Sequence, residues 1–324
     1  MARALSEGIV PAEPRPPGRT PAALVSVASN SLLILLKVIA GSITGSVAIL
    51  TEGMHSSIDL IASIVAYFSV RKAEEPADES HRYGHEKIEN LSAAIEGMLI
   101  LVGSGVIAFE AIRRLVQGAE VGTLGLGIGV VAFSLVANLV VSGYIQRRAR
   151  LTESPALEGD AAHLRTDALT SAGVLLALVL VQATGETWLD PAVALAVAAA
   201  IVGSGVRILL RSSRVLVDET LPGPEMDAIR DAVVAFGPRG VAGFHQLRTR
   251  QAGARRYVDL HLQFRAGTTL EDAHAIAHQL QDEIAGRLRG ADVLIHLEPE
   301  DRVRPGTEIP PHGPGRSAQV DPRR

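Results

Sequence analysis

Cysteine is absent from this 324-residue chain. That excludes disulfides and thiolate ligands, leaving His, Asp and Glu as the strong candidate metal ligands. A large charge of either sign is missing too: 31 basic and 35 acidic residues give a formal net charge of −4. Nothing in that balance argues for nucleic-acid binding. The Pro- and Arg-rich segment up to Pro21 has no apolar core of about 7–15 residues such as a signal peptide needs. Residues 1–20 therefore read as a disordered cytoplasmic leader, and 302–324, again rich in Pro and Gly, as a disordered tail.

Apolar residues make up 47% of the chain and charged residues 20%, with a mean hydropathy of +0.24. That combination suits a membrane part joined to a soluble part. Six apolar segments approach the roughly 20 residues a helix needs to cross a bilayer: 21–41, 46–70, 89–113, 122–145, 158–182 and 190–210. The turn Gly41-Ser-Ile-Thr-Gly45 joins the first two, and Trp188 in the last connection suits a membrane interface. Arg71, Lys72, Arg82 and Lys87 follow span two; Arg147, Arg148 and Arg150 follow span four; Arg207, Arg211 and Arg214 follow span six. The opposite loops hold only Arg113 and Arg114, so the positive-inside rule places both termini in the cytoplasm. An integral membrane domain over 21–212 is expected, followed by a soluble domain over 213–301.

Two spans carry the same polar pair. His55-Ser-Ser-Ile-Asp59 and His163-Leu-Arg-Thr-Asp167 each place an imidazole and a carboxylate four residues apart, on one helix face. Opposed, the two faces supply two nitrogen and two oxygen ligands, a set that suits a tetrahedral divalent ion such as zinc. Ionisable groups are costly in lipid and mark ion or proton pathways. Interhelical hydrogen bonding accounts for one such pair but poorly for two matching ones. Glu52 and Asp160 each precede a pair by three residues. Spans two and five are antiparallel, so these two acids are either charges snorkelling to opposite interfaces or rungs of a cation ladder. Asn30, Lys37 and Asn138 read as packing or snorkelling residues.

Outside the spans, Asp78, His81 and His85 crowd one loop, which by residue type alone reads as a solvated polar loop. Residues 220–300 read as a compact α/β domain: a helix from Pro224 to Gly237, strands 241–250 and 256–265, a helix 270–287 and a strand 291–298. Alternation puts Val258, Leu260, Leu262 and Phe264 in the core, with Tyr257, Asp259, His261 and Gln263 opposite. His296 and Glu298, two apart on a strand, can reach one ion. His245 and His274 are further candidates.

Together these residues resemble the cation diffusion facilitator family, the proton-coupled zinc exporters and their relatives. The resemblance spans about residues 21–300. It rests on Gly45-Ser-Val-Ala-Ile-Leu-Thr-Glu-Gly-Met-His55-Ser-Ser-Ile-Asp59, His81-Arg-Tyr-Gly-His85-Glu-Lys87-Ile-Glu89, His163-Leu-Arg-Thr-Asp167-Ala-Leu-Thr170-Ser171 and His245-Gln-Leu-Arg-Thr-Arg250. It implies a homodimer in the bacterial inner membrane, with an all-α six-helix domain and a ferredoxin-like, metallochaperone-like α/β cytoplasmic domain. It implies a transport site of His55, Asp59, His163 and Asp167, and a loop site of Asp78, His81 and His85. A cytoplasmic binuclear site is implied at His245, His261, His274, His296 and Glu298, where some members carry Asp in place of the glutamate. An inter-helix charge pair maps onto Lys87 and Asp218. The implied activity is Zn²⁺ efflux by proton antiport, the cytoplasmic zinc being regulatory or structural. The two-His, two-Asp set is similar to that of zinc-selective members, whereas Asp at the first His position goes with broader use of cadmium or iron; transport of Fe²⁺, Mn²⁺, Co²⁺ or Cd²⁺ is the alternative within the family. Two readings from other classes stand beside it: a membrane metal sensor that does not transport, and an intramembrane metalloenzyme. Four ligands with no open water position argue against the enzyme.

Overall fold

A computed structural model describes residues 19–44, 47–117, 125–302 and Ile309. The chain divides into two compact units, at Leu216/Val217.

The first unit holds six long helices: α1 (Arg19–Thr44), α2 (Val47–Ala73), α3 (Lys87–Gln117), α4 (Gly125–Thr152), α5 (Pro155–Thr184) and α6 (Leu189–Leu216). Among the described residues, five of them are apolar and long enough to cross a membrane; α2 carries Glu52, His55 and Asp59. The helix expected from residue 21 begins earlier, so Arg19 and Thr20 belong to α1 rather than to the leader. The rest of the leader, and the tail apart from Arg302 and Ile309, lie outside the described residues.

The tight junction of α4 and α5 has a local cause. Ser154 caps α5 by accepting from the Leu157 amide at 3.3 Å, and Pro155 occupies the first turn, where its missing N–H costs nothing. Gly185 closes α5 at φ 77°, a left-handed cap that glycine adopts without a Cβ penalty. Helices α3 and α6 approach closely through glycine. A Cβ on Gly97 would stand 3.0 Å from the Leu209 backbone nitrogen, and one on Gly205 would stand 2.9 Å from the Leu101 side chain. Small residues at such a crossing let van der Waals packing replace the hydrophobic drive that lipid removes.

In the second unit the order is α7 (Gly223–Ala235), β1 (Val241–Ala252), β2 (Arg255–Phe264), α8 (Leu270–Arg287) and β3 (Ala291–Pro299). The sheet order is β1-β2-β3, with β1 antiparallel and β3 parallel to β2. The α8 crossover is what makes a parallel neighbour reachable. Val258, Leu260, Leu262 and Phe264 face the core as alternation requires, packed with Ile229, Val233, Leu280 and Ile284. The opposite face is less open than alternation predicts. Tyr257 is buried under the Arg250 guanidinium, 4.3 Å from its ring centre, and Gln263 is buried as well.

Candidate metal centres

In the first unit, Asp59 on α2 and His163 and Asp167 on α5 each direct a ligand atom to one point, with those atoms within 4.8 Å of one another. His163 Nε2 stands 3.2 Å from Asp59 Oδ1 across the two helices. This cross-pairing of imidazole and carboxylate is what antiparallel helices with matching pairs allow. Both residues are buried. The side chains of His55 and Glu52 lie outside the described residues; the α2 backbone carries His55 one turn before Asp59.

Hydrogen bonds from α1 hold the neighbourhood. Asp160 Oδ1 accepts from Ser26 Oγ at 2.8 Å and Ser63 Oγ at 3.1 Å. Asn30 Nδ2 donates to Ser63 Oγ at 2.7 Å and to the Asp59 carbonyl at 3.4 Å. Lys37 donates to Ser56 Oγ at 2.9 Å and is buried, so it does not snorkel. Asp160 is likewise 1% exposed, which places it among packed helices rather than at an interface.

A carboxyl that sequence reasoning missed completes this region. Glu96 of α3 is fully buried, and neither of its oxygens has a hydrogen-bond partner among the described residues. It lies against Gly159, where any Cβ would collide with its carboxyl, and it feels the charge of neighbouring Asp160. The available signal was an acid in the middle of the apolar run Ala93-Ala-Ile-Glu96-Gly-Met-Leu-Ile.

The loop between α2 and α3 gathers the second candidate set, Asp78, His81 and His85. Asp78 Oδ1 accepts from the His81 amide at 2.6 Å, the Ser80 amide at 2.9 Å and Ser80 Oγ at 2.9 Å. The His81 amide, followed by the Ser80 hydroxyl, holds the Asp78 carboxyl well below the usual carboxylate range. His85 Nε2 lies 3.2 Å from Asp78 Oδ2 but off a hydrogen-bond axis, so both nitrogens of this buried ring lack a hydrogen-bond partner among the described residues. Gly84, at φ 87°, turns the chain so that the two rings meet with centroids 4.6 Å apart.

In the second unit, strand register lines up three histidines. His245 on β1 pairs with His261 on β2, which pairs with His296 on β3, and successive ring centroids are 4.9 and 4.6 Å apart. A β-bulge follows His245, with Gln246 at φ 49°, and bulges commonly re-aim a side chain. Glu298 reaches across the sheet: His245 Nε2 and His261 Nδ1 each donate to its carboxylate at 2.7 Å. These two bonds, His245 first, lower the Glu298 carboxyl to about 2. His296 Nε2 is 3.9 Å from the same carboxylate and mostly exposed, at the rim of the cluster.

Because the Glu298 carboxyl is lowered on folding, the stability it adds is complete above the ordinary carboxylate range. It is lost as pH falls toward about 2. Unfolding titrations of wild type and Glu298→Gln should converge between pH 5 and pH 2; a constant offset would mean the carboxylate is not the linked group.

The structure does not bring His274 to this cluster. The residue lies on α8, exposed, with its Nε2 3.2 Å from that of His278. A helix across the sheet layer cannot follow strand register. Of the implied charge pair, Lys87 opens α3 in the first unit, and Asp218 of the second unit lies 3.8 Å from Arg250.

Comparison with known proteins accords with this layout. The family model for the cation efflux transmembrane domain matches residues 23–217, and that for the cation efflux protein cytoplasmic domain matches 221–300. An uncharacterized transporter of Synechocystis is 33% identical over 297 residues, 91% of this chain and 96% of the relative. The cation-efflux pump FieF of Escherichia fergusonii is 34% identical over 278 residues, 86% of this chain and 92% of the pump. Among solved structures, the Zn form of the transporter CzrB is 36% identical, covering 27% of this chain and 98% of that one, at a TM-score of 0.25. A six-helix membrane unit, an α/β cytoplasmic unit and full-length relatives lead to one conclusion: the chain belongs to the cation efflux, or cation diffusion facilitator, family of integral-membrane divalent-cation efflux proteins.

Proposed function

We propose that the protein exports Zn²⁺ in exchange for protons, by alternating access of a site built from His55, Asp59, His163 and Asp167. The observation that carries this reading is the convergence of Asp59, His163 and Asp167 on one buried point between α2 and α5. A mixed nitrogen and oxygen set of four suits tetrahedral zinc, and geometry rather than intrinsic affinity must exclude copper. His and Asp bind metal only when deprotonated, so protons compete for the same atoms. Opening toward a proton-rich side discharges the ion, and opening toward the cytoplasm, the side this reading gives to both termini, reloads it. Asp160 and Glu96 extend the carboxyl series beyond the four-residue set; Glu52 is its counterpart on α2.

The cytoplasmic-domain match supports a homodimer. In this reading Asp78, His81 and His85 form an accessory loop site, Lys87 and Asp218 a charge interlock that holds the dimer, and His245, His261, His296 and Glu298, with His274 on α8, a regulatory or structural zinc site. Domain limits of 21–212 and 213–301 and a bacterial inner-membrane location complete the proposal.

Purified protein in proteoliposomes should take up zinc when a pH gradient is imposed and stop when a protonophore collapses it. A panel of Fe²⁺, Mn²⁺, Co²⁺ and Cd²⁺ in competition tests the metal. Uptake indifferent to the gradient would sink the antiport reading, and preferential loss to iron or cadmium the zinc reading. A sensor that does not transport would give no uptake at all. For the cytoplasmic cluster, Glu298→Gln should weaken zinc binding by more than about tenfold, since a ligand is lost where even supporting partners matter by that factor. Calorimetry on the full chain measures it; unchanged affinity would remove Glu298 from the site.

A further inference from the structure

A cleft of about 380 Å³ on the first unit is lined by Gly143, Gln146, Arg147, Arg150 and Leu151 of α4 and by Arg165 of α5. Its three arginines are exposed, and none makes a hydrogen bond or ion pair among the described residues. Two ionic groups on the same helices are engaged elsewhere. Glu158 accepts two bonds from Arg211, at 2.7 and 2.8 Å, and Arg148 turns to Tyr144, 5.7 Å from its ring centre. Three like charges around one cleft repel one another unless an anion joins them.

The position of Arg165 makes the requirement sharper. It falls between His163 and Asp167 of the polar motif but is exposed, whereas His163 is buried. It stands ten residues into α5, counted from Pro155, which is about 15 Å along the helix axis. An arginine exposed on that apolar span is costly unless its head reaches polar surroundings. Helical side chains lean toward the N-terminus, so its guanidinium is led back toward Arg147 and Arg150 at the α4–α5 turn. Leu139, Val140 and Leu169 on the same two helices are large, apolar and exposed, as lipid-facing residues are.

We propose that this cleft binds the phosphate of an anionic phospholipid headgroup, with Arg147, Arg150 and Arg165 as its ligands and the acyl chains along the exposed face of α4 and α5. Guanidinium forks match phosphate oxygens two at a time, which is why arginine suits such a site. Basic pockets between membrane helices are places where anionic headgroups bind. The inference is independent of which cation is carried. It also gives Arg165 a role separate from that of its neighbours in the motif.

Thermal unfolding and native mass spectrometry of the full-length protein in neutral detergent provide the test. Phosphatidylglycerol should raise Tm and persist as an adduct, whereas phosphatidylcholine with the same chains should do neither. Each of Arg147→Gln, Arg150→Gln and Arg165→Gln should weaken the lipid about fivefold, the equivalent of roughly 1 kcal/mol per basic residue. Equal responses to the two lipids, or an undiminished response in a triple Arg→Gln variant, would overturn the proposal. So would protection by glycerol 3-phosphate at the same concentration, which would mark a soluble-phosphate site instead. Should the triple variant not fold, the lipid-class comparison on wild type and the single variants still decide.

Discussion

Asp59→Ala and His163→Ala should each reduce zinc uptake into proteoliposomes by more than roughly 100-fold, with the protein still folded and dimeric. The two residues come from different helices and meet at 3.2 Å, so each alanine removes one proposed ligand and leaves its partner facing a gap. Partners that merely orient a metal ligand cost about 10–100-fold when removed, and a direct ligand should cost more. Conservative changes sharpen the test. Asp59→Asn keeps the volume and a neutral oxygen but removes the charge, so it should be nearly as damaging. His163→Gln keeps a hydrogen-bonding end and loses one of the two proton-exchanging imidazoles, so residual uptake should depend less steeply on the pH gradient. Variants that transport at the wild-type rate would place the cation elsewhere.

Glu89→Ala should be the most destabilising single change in the membrane unit, by roughly 3–5 kcal/mol, because it strands a buried cation. Arg19 donates to Glu89 Oε1 at 2.9 Å and to the Thr152 carbonyl at 2.8 Å, and Ser154 Oγ donates to the other Glu89 oxygen. Both charged groups are almost wholly out of solvent. This network joins α1 to the start of α3 and to the α4–α5 junction, where Ser154 also caps α5. In the first turn of α3, Glu89 also has the favourable end of the helix dipole. The double variant Arg19→Leu/Glu89→Leu should recover much of the loss, since a missing pair costs less than an unpaired charge. Thermal melts in one detergent decide it; additive losses in the double variant would mean the two groups act separately.

Part of the site is legible in the amino-acid order alone, and the parts that are not share a cause. Residues four apart on a helix share a face by geometry alone, so spacing is enough to reveal the His55/Asp59 and His163/Asp167 pairs. The alternation in β2 likewise marks Val258, Leu260, Leu262 and Phe264 as core. Glu96 is harder to read because a single acid in an apolar run has no partner in sequence; its meaning lies in Gly159 and Asp160 on another helix. Ser26, Asn30 and Ser63 are unremarkable in sequence and become supports of Asp160 only when α1 packs on α2 and α5. The place of His274 is likewise a matter of packing: it lies on α8, with its Nε2 3.2 Å from that of His278.

Short-range periodicity and composition account for the long apolar helices, the two polar pairs at helical spacing, the α/β order of the second unit and the absence of thiolate ligands. Which of these groups meet follows from how the elements pack. Register places His245, His261 and His296 in one row, and the bulge after His245 lies where Glu298 is bonded by two of them. The packing of α5 against α2 brings His163 to Asp59, and its packing against α3 brings Gly159 to Glu96. Periodicity is a property of the backbone and can be counted along the chain. The distance between two side chains on different elements is set by how those elements pack, which no count along the chain contains.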